Sequence, residues 1–215
     1  MADRVVIGYV HPGTVRAEFC ASLLAIAMEG KTPLDAVLTL ESGPNISTAR
    51  NKLCADFLAG QSAPWLFMAD TDMVLEHDAV DRLIAAADPV DVPVLGGLCW
   101  SLEAGARVPT MYELVQKDGG GVAFARHSRW PENAVVRVSA TGAACLLVHR
   151  SALERVRLHS RDRAAPWFRE TALPGVPLAL MGEDLTFCLR CAAAGIPVHV
   201  HTGVKAGHMK TTMLT

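Results

Sequence analysis

Apolar and polar positions in the first hundred residues fall into alternating blocks with two different periods. Arg4–Val10 is a short run rich in β-branched residues, ended by His11-Pro12-Gly13, and predicts a strand. Thr14 is placed to cap a following helix whose apolar positions Phe19, Leu23, Leu24, Ala27 and Met28 repeat every 3.6 residues. Asp35–Leu40 predicts a second strand, and Glu41–Ile46 is a loop rich in Ser, Gly, Pro and Asn. Ser47–Gly60 predicts a second helix, with Leu53, Phe57 and Leu58 facing inward and Gly60 as its stop. Pro64–Ala69 is almost continuously apolar, which suits a strand covered on both faces. A helix over Asp78–Ala87 and a strand over Val92–Cys99 follow. Strands alternating with helices in this way predict a parallel α/β sheet.

The pattern changes after Trp100. Residues 101–135 are rich in Gly, Arg and Pro, include Gly119-Gly120-Gly121, and carry no clear period. Val135–Ser139 and Ala143–His149 then predict strands, and Ser151–Val156 a short helix. A turn-rich stretch through Pro166-Trp167-Phe168 leads to a helix over Glu183–Ala194, stopped by Gly195 and Pro197, and to a short strand over Val198–His201. With no internal repeat or linker, residues 1–215 predict one α/β domain with an irregular second half.

Composition fits that size. Of 215 residues, 51% are hydrophobic and 20% charged, enough apolar side chain for a large core. Lys plus Arg number 20 against 22 Asp plus Glu, a net charge of -2, which argues against a general nucleic-acid coat or a basic membrane-surface protein. The balance is local, however: residues 101–170 hold 11 basic and 7 acidic side chains, net +4, leaving 9 and 15, net -6, elsewhere. The apolar run at the start is too short for a signal peptide, and nothing approaches the roughly 18 uninterrupted apolar residues of a spanning helix. The expectation is a cytoplasmic protein. Its six cysteines lie in apolar segments, as buried reduced thiols do.

The sharpest candidate chemistry is Ala69-Asp70-Thr71-Asp72-Met73, directly after the apolar strand. Ligands of parallel sheets bind at the carboxyl ends of strands, so both carboxylates sit where a site would open. Carboxylates at i and i+2 can converge on Mg²⁺ or Mn²⁺, which would neutralise a diphosphate leaving group; a solvated turn explains the same residues. A second acidic pair, Glu183-Asp184, opens the late helix. It suits the helix dipole and equally a general base facing a cleft. Cys188-x-x-Cys191 with His199-x-His201 has zinc-ligand spacing, but the cysteines fall inside an apolar helix. Trp100 and Trp130 are candidates for stacking on a sugar or base, or for packing.

Taken in order, several segments resemble a known family. They are Val-Val-Ile-Gly-Tyr-Val, Ala49-Arg50-Asn51, Leu-Phe-Met-Ala-Asp-Thr-Asp, Thr141-Gly142 through Arg150, Pro166-Trp167-Phe168, and Gly182-Glu183-Asp184 through Arg190 with Gly195. This ordered set, spread over roughly residues 4–210, resembles the GT-A-fold glycosyltransferases, most of all the small family-2-like type that includes enzymes encoded by bacteriophages. The resemblance implies a Rossmann-like three-layer α/β fold with a mostly parallel central sheet and an irregular acceptor-side lobe. It implies a nucleotide-sugar half over residues 1–100 and an acceptor half over 101–215. The implied activity is metal-dependent transfer of a sugar from a nucleoside-diphosphate sugar to an acceptor hydroxyl, with Mn²⁺ or Mg²⁺ as the cation. A phage-encoded enzyme of this type would work in the host cytoplasm, on a modified DNA base, a protein or a glycan.

Residue by residue, the resemblance places Tyr9, His11 and Thr14 around the base and ribose, and Arg50 and Asn51 near the nucleotide-sugar. It makes Asp72 a direct metal ligand, with Asp70 near the ribose or metal and His208 completing the metal site. Lys210 would face the diphosphate. Glu183 and Asp184 match the acceptor-side acidic pair, Asp184 as the base of an inverting reaction. A late His ligand also occurs in retaining members, so both stereochemical outcomes stay open. Two other readings compete. Pro12-Gly13-Thr14-Val15-Arg16 is faintly similar to the Gly-rich loop of sugar-nucleotide nucleotidyltransferases, and an inactive nucleotide- or carbohydrate-binding module would keep the same fold.

Overall fold

A computed structural model describes residues 3–117, 121–173 and 176–210, so Gly119, Gly120 and the tail after Lys210 lie outside the described residues. In chain order the elements are β1 (Val5–His11), α1 (Ala17–Glu29), β2 (Leu34–Glu41), α2 (Ile46–Gly60), β3 (Trp65–Asp70), β4 (Met73–Val74), α3 (Ala79–Ala86) and β5 (Val94–Leu98). Two hairpin-forming pairs follow, β6 (Trp100–Glu103) with β7 (Ala106–Pro109), and β8 (Met111–Gln116) with β9 (Val122–Arg126). Then come β10 (Val135–Val138), β11 (Ala140–Thr141), β12 (Cys145–His149), α4 (Arg150–His159), β13 (Thr171–Leu173), β14 (Val176–Met181), α5 (Glu183–Ala193), β15 (Val198–Lys205) and β16 (Gly207–His208).

Seven strands form the central sheet in the order β10-β15-β5-β12-β3-β1-β2. β1 pairs in parallel with β2 and β3, and β15 with β5, while β12 runs antiparallel between β3 and β5 and β10 antiparallel along the edge. The sheet is therefore mixed α/β and mostly parallel in strand direction, with β12 and β10 reversed. Alternation along β3 explains the three layers. Leu66 and Met68 pack with Leu53 and Phe57 of α2, Leu153 of α4 and Phe187 of α5. Trp65, Phe67 and Ala69 face the other way, onto Phe19 and Ile26 of α1 and Leu83 of α3. Each such fully buried side chain contributes about 1.5–3 kcal/mol, so a central strand covered on both faces is a strong organiser. Gly8 of β1 is required by this packing: a β-carbon there would lie 2.9 Å from Leu53 and 3.0 Å from Leu66.

Three details differ from the sequence expectation. The buried stripe of α1 is Phe19, Ser22 and Ile26, while Leu24 and Met28 are 62% and 82% exposed. A serine occupies that stripe because its Oγ accepts the buried Leu75 backbone N–H at 3.0 Å and donates to the Glu18 carbonyl. Thr14 does not cap α1, whose N-cap position is Arg16, with no side-chain cap bond. The stretch over 101–135 is not irregular throughout: it holds the two hairpins, whose strands are half exposed and so lack a clean alternation. No helix among the described residues is long and apolar enough to cross a membrane.

Candidate functional site

The carboxyl ends of β1 and β3 open into a cleft of about 500 Å³, lined by Pro12, Thr14, Ser42, Asp70, Thr71 and Asp72 among others. β3 delivers Asp70 to its rim, and two residues later the chain turns into β4. β4 pairs antiparallel with β16, Met73 opposite His208, and the Met209 N–H bonds the Asp72 carbonyl at 2.8 Å. That short pairing brings together side chains 136 positions apart: His208 Nε2 lies 2.9 Å from Asp72 Oδ2. Lys210 Nζ reaches the same oxygen at 3.2 Å.

The tautomer of His208 follows from its other nitrogen. Nδ1 sits 2.7 Å from the carbonyl oxygen of Trp100, which only accepts, so Nδ1 carries the hydrogen. With Nδ1 committed to the Trp100 carbonyl, Nε2 is the nitrogen that faces Asp72 Oδ2, at a distance that requires a proton or a cation between the two. A carbonyl orienting the remote N–H is the arrangement that metal-binding histidines use. Asp70, expected beside these two, is engaged elsewhere: its Oδ1 accepts from Arg50 at 2.5 Å. Among the described residues no group of three or more His, Cys, Asp or Glu side chains is placed to hold a metal. Of the three side chains expected to share a cation, Asp72 and His208 are together and Asp70 is not.

Arg50 is the pivot of the site. It lies on the inner face of α2, its side chain only 6% exposed, and bridges Asp70 to Glu183 at the start of α5. Its Cζ stands 5.8 Å over the ring of Phe168. Burial would weaken the protonated guanidinium, but the charges of Asp70, Glu183 and Asp184 outweigh it and raise the pKa. Asp184 is shifted upward, first by burial and then by the charge of Glu183, with Arg50 opposing. Its Oδ1 accepts the Leu185 N–H at 2.8 Å. A β-carbon at Gly142 would lie 3.5 Å from Asp184 Oδ2 and 3.7 Å from Thr110, so this carboxylate borders β11 and the end of the β6–β7 hairpin. Gly182 is the N-cap of α5 with no side-chain cap bond.

Other expected site residues fall differently. Tyr9 packs edge-on against Phe19 at 5.2 Å, and His11 Nδ1 accepts the Gly13 N–H at 3.1 Å, holding a turn in which Gly13 has φ 95°. Of Tyr9, His11 and Thr14, Thr14 is the one that lines the cleft. Asn51 is buried rather than turned to the cleft. Its amide donates to the carbonyls of Ser47 and Phe168 and accepts from the N–H groups of Trp167 and Phe168, fixing the Pro166-Trp167-Phe168 segment onto α2. Cys188 and Cys191 are buried in the core, and burial pushes the Cys188 thiol up to about 12. They form no metal cluster with His199 and His201, whose pKa values burial lowers. Trp100 and Trp130 pack at 6.0 Å between ring centroids. Sequence pattern alone did not single out Trp100 as the carbonyl that orients His208, since a backbone acceptor leaves no mark on residue type.

No protein-family model matches the sequence, and no curated protein matches it. Solved structures do. The A197 protein from STIV superposes with a TM-score of 0.62 at 16% identity, over 97% of this chain and 86% of that one. GalNAc-T7, solved with UDP, GalNAc and Mn²⁺, superposes with the same TM-score of 0.62 at 10% identity, over 97% of this chain. The chain spans 43% of the length of that GalNAc-T7 structure. At these identities the likeness is one of fold: the chain has the GT-A-type architecture, a mostly parallel sheet between helical layers with its cleft at the strand ends.

Proposed function

We propose that the chain is a glycosyltransferase that uses a nucleoside-diphosphate sugar and a divalent cation. The observation that carries this reading is the meeting of Asp72 and His208 at the carboxyl edge of β3, with His208 Nδ1 committed to the Trp100 carbonyl so that Nε2 is the ring nitrogen left for a cation. The donor set of Asp72 and His208 is one carboxylate oxygen and one imidazole nitrogen, which would suit Mn²⁺. A divalent cation held there supplies Lewis-acid stabilisation of the departing nucleoside diphosphate.

The chain's own residues supply the rest. Lys210, paired with Asp72 at 3.2 Å, exchanges that partner for the diphosphate once the donor is bound. Arg50 ion-pairs with both Asp70 and Glu183 and so joins the β3 end to α5. Asp184 takes the proton of the acceptor hydroxyl: its raised pKa makes it a stronger base than an ordinary carboxylate, and its free Oδ2 side faces the region of Gly142 and Thr110. The fold neighbour's complex with UDP and Mn²⁺ makes those two the first probes to use.

A panel of nucleoside-diphosphate sugars, screened by thermal shift with Mn²⁺, tests the donor. One donor should stabilise the protein in a Mn²⁺-dependent manner and undergo slow hydrolysis. Asp184→Asn should lose transfer while retaining donor binding. Pyrophosphate release from a nucleoside triphosphate plus a sugar phosphate would instead establish a nucleotidyltransferase.

A further inference from the structure

A second concavity, of about 440 Å³, borders His208 between the β6–β7 hairpin and the end of β15. Trp100 forms one wall, and Arg107, Lys205 and Lys210 project into its lining, with no carboxylate residue among the lining side chains. Arg107 stands with its Cζ 4.0 Å over the Trp100 ring, an arrangement that orders the guanidinium without neutralising it. Neither Arg107 nor Lys205 makes an ion pair or side-chain hydrogen bond with any described residue, although both are exposed. Ser101 also lines the pocket, and its buried hydroxyl has no partner among the described residues. Many other cations of the second half are already occupied: Arg126 by Glu103, Arg169 by Asp162, Arg150 by carbonyls of α2 and Gln61, Arg155 by the Ala194 carbonyl. Arg107 and Lys205 thus place unneutralised positive charge beside the Asp72–His208 pair.

We propose that this pocket binds a phosphate ester on the acceptor, a small phosphorylated glycan, resting on the glycosyl-transfer reading above. Two unpaired cations, Arg107 and Lys205, with the Ser101 hydroxyl match the oxygens of a phosphate better than a single carboxylate. The donor diphosphate is assigned above to the 500 Å³ cleft bordered by Asp70 and Asp72 and to Lys210 at its edge, so the Arg107, Lys205 and Ser101 side of this pocket is left for the other substrate. Its hairpin leads to the base: Trp100 pairs with Pro109, and the next residue, Thr110, lies beside Gly142 and Asp184. A polynucleotide fits less well, because the net charge is -2.

The test follows the indole N–H signal of Trp100, assigned with Trp100→Phe, in ¹⁵N-labelled protein. A hexose 6-phosphate should shift that signal saturably and the unphosphorylated hexose should not. Arg107→Ala and Lys205→Ala should each weaken binding by about tenfold, while both proteins keep Mn²⁺-dependent UDP binding. Asp72→Ala should show the reverse pattern, so loss of the glycosyltransferase reading and loss of this pocket are seen separately. Equal response to hexose and hexose phosphate would overturn the proposal. Displacement of the hexose phosphate by UDP would assign the pocket to the donor, and tighter binding of a short single-stranded oligonucleotide would assign it to nucleic acid; either result also overturns it.

Discussion

Removing Arg50 should be among the most damaging single changes in the molecule. Arg50→Met keeps the aliphatic volume against Phe168 but deletes the cation between Asp70 and Glu183. The guanidinium is 6% exposed and the two carboxylates 29% and 14%, so the variant leaves a partly buried cluster of negative charge, with Asp184 added, and nothing opposing it. Breaking a buried pair by removing one partner costs about 3–5 kcal/mol, and the lower end applies because both carboxylates border the cleft and regain water. About 3 kcal/mol in a chain of this length lowers Tm by roughly 6–12 °C. Lys52→Ala, which breaks an exposed pair with Asp56 on the same helix, should cost no more than about 0.5 kcal/mol. The sign with pH is set by Asp184. Its folded pKa is raised above the unfolded value, so the stability linked to its protonation is fully present below the unfolded value and lost as pH rises through the folded one. Without Arg50 that folded value rises further, and the deficit of the variant should be smaller at the lower of two pH values. Urea denaturation of both proteins at the two pH values is the assay. A loss below about 1 kcal/mol for Arg50→Met, or a deficit that grows on acidification, would refute the reasoning.

Further consequences concern packing. Asn51→Ala strands the Trp167 N–H and the Phe168 carbonyl in the core and should cost about 2–4 kcal/mol by denaturation, with UDP affinity little changed because the amide faces inward. Gly97→Ala places a β-carbon 2.7 Å from Cys145 Sγ and 3.1 Å from the Val204 carbonyl, and should destabilise by about 1–3 kcal/mol. Adding Cys145→Ala to that variant should recover part of the loss, since the sulfur is the nearer clash. Of the six cysteines only Cys20 is exposed, so a thiol reagent should label one site rapidly in the folded protein and six after denaturation.

The alternating blocks of the first hundred residues announced the sheet because their strands are covered on one or both faces and their helices are long enough to show a period. The direction of β12 was not legible: a buried apolar run such as Cys145–His149 reads the same whichever way it is inserted, and only its pairing with β3 and β5 reverses it. The hairpins after Trp100 were hidden for a different reason. Their strands carry exposed Leu102, Leu114 and Val115 beside charged residues, so neither face repeats. In α1 the stripe misled because a core position is held by Ser22, chosen for the Leu75 N–H rather than for apolarity. At the site, acidic residues at a strand end and a helix start were visible as residue types. The buried roles of Arg50 and Asn51 were not, since an Ala-Arg-Asn segment does not reveal that one side chain bridges two carboxylates and the other fastens a distant loop.

The proposed glycosyl transfer depends on Asp72 and His208 holding a divalent cation together with a nucleoside diphosphate. Titrating Mn²⁺ into the protein in the presence of UDP, with the free-ion electron paramagnetic resonance signal as readout, tests it most directly. Wild type should remove about one equivalent of Mn²⁺ from the free signal when UDP is present, and Asp72→Ala and His208→Ala should each weaken that uptake by about tenfold or more. Uptake by His208→Ala equal to wild type, or none by the wild type itself, would contradict the account.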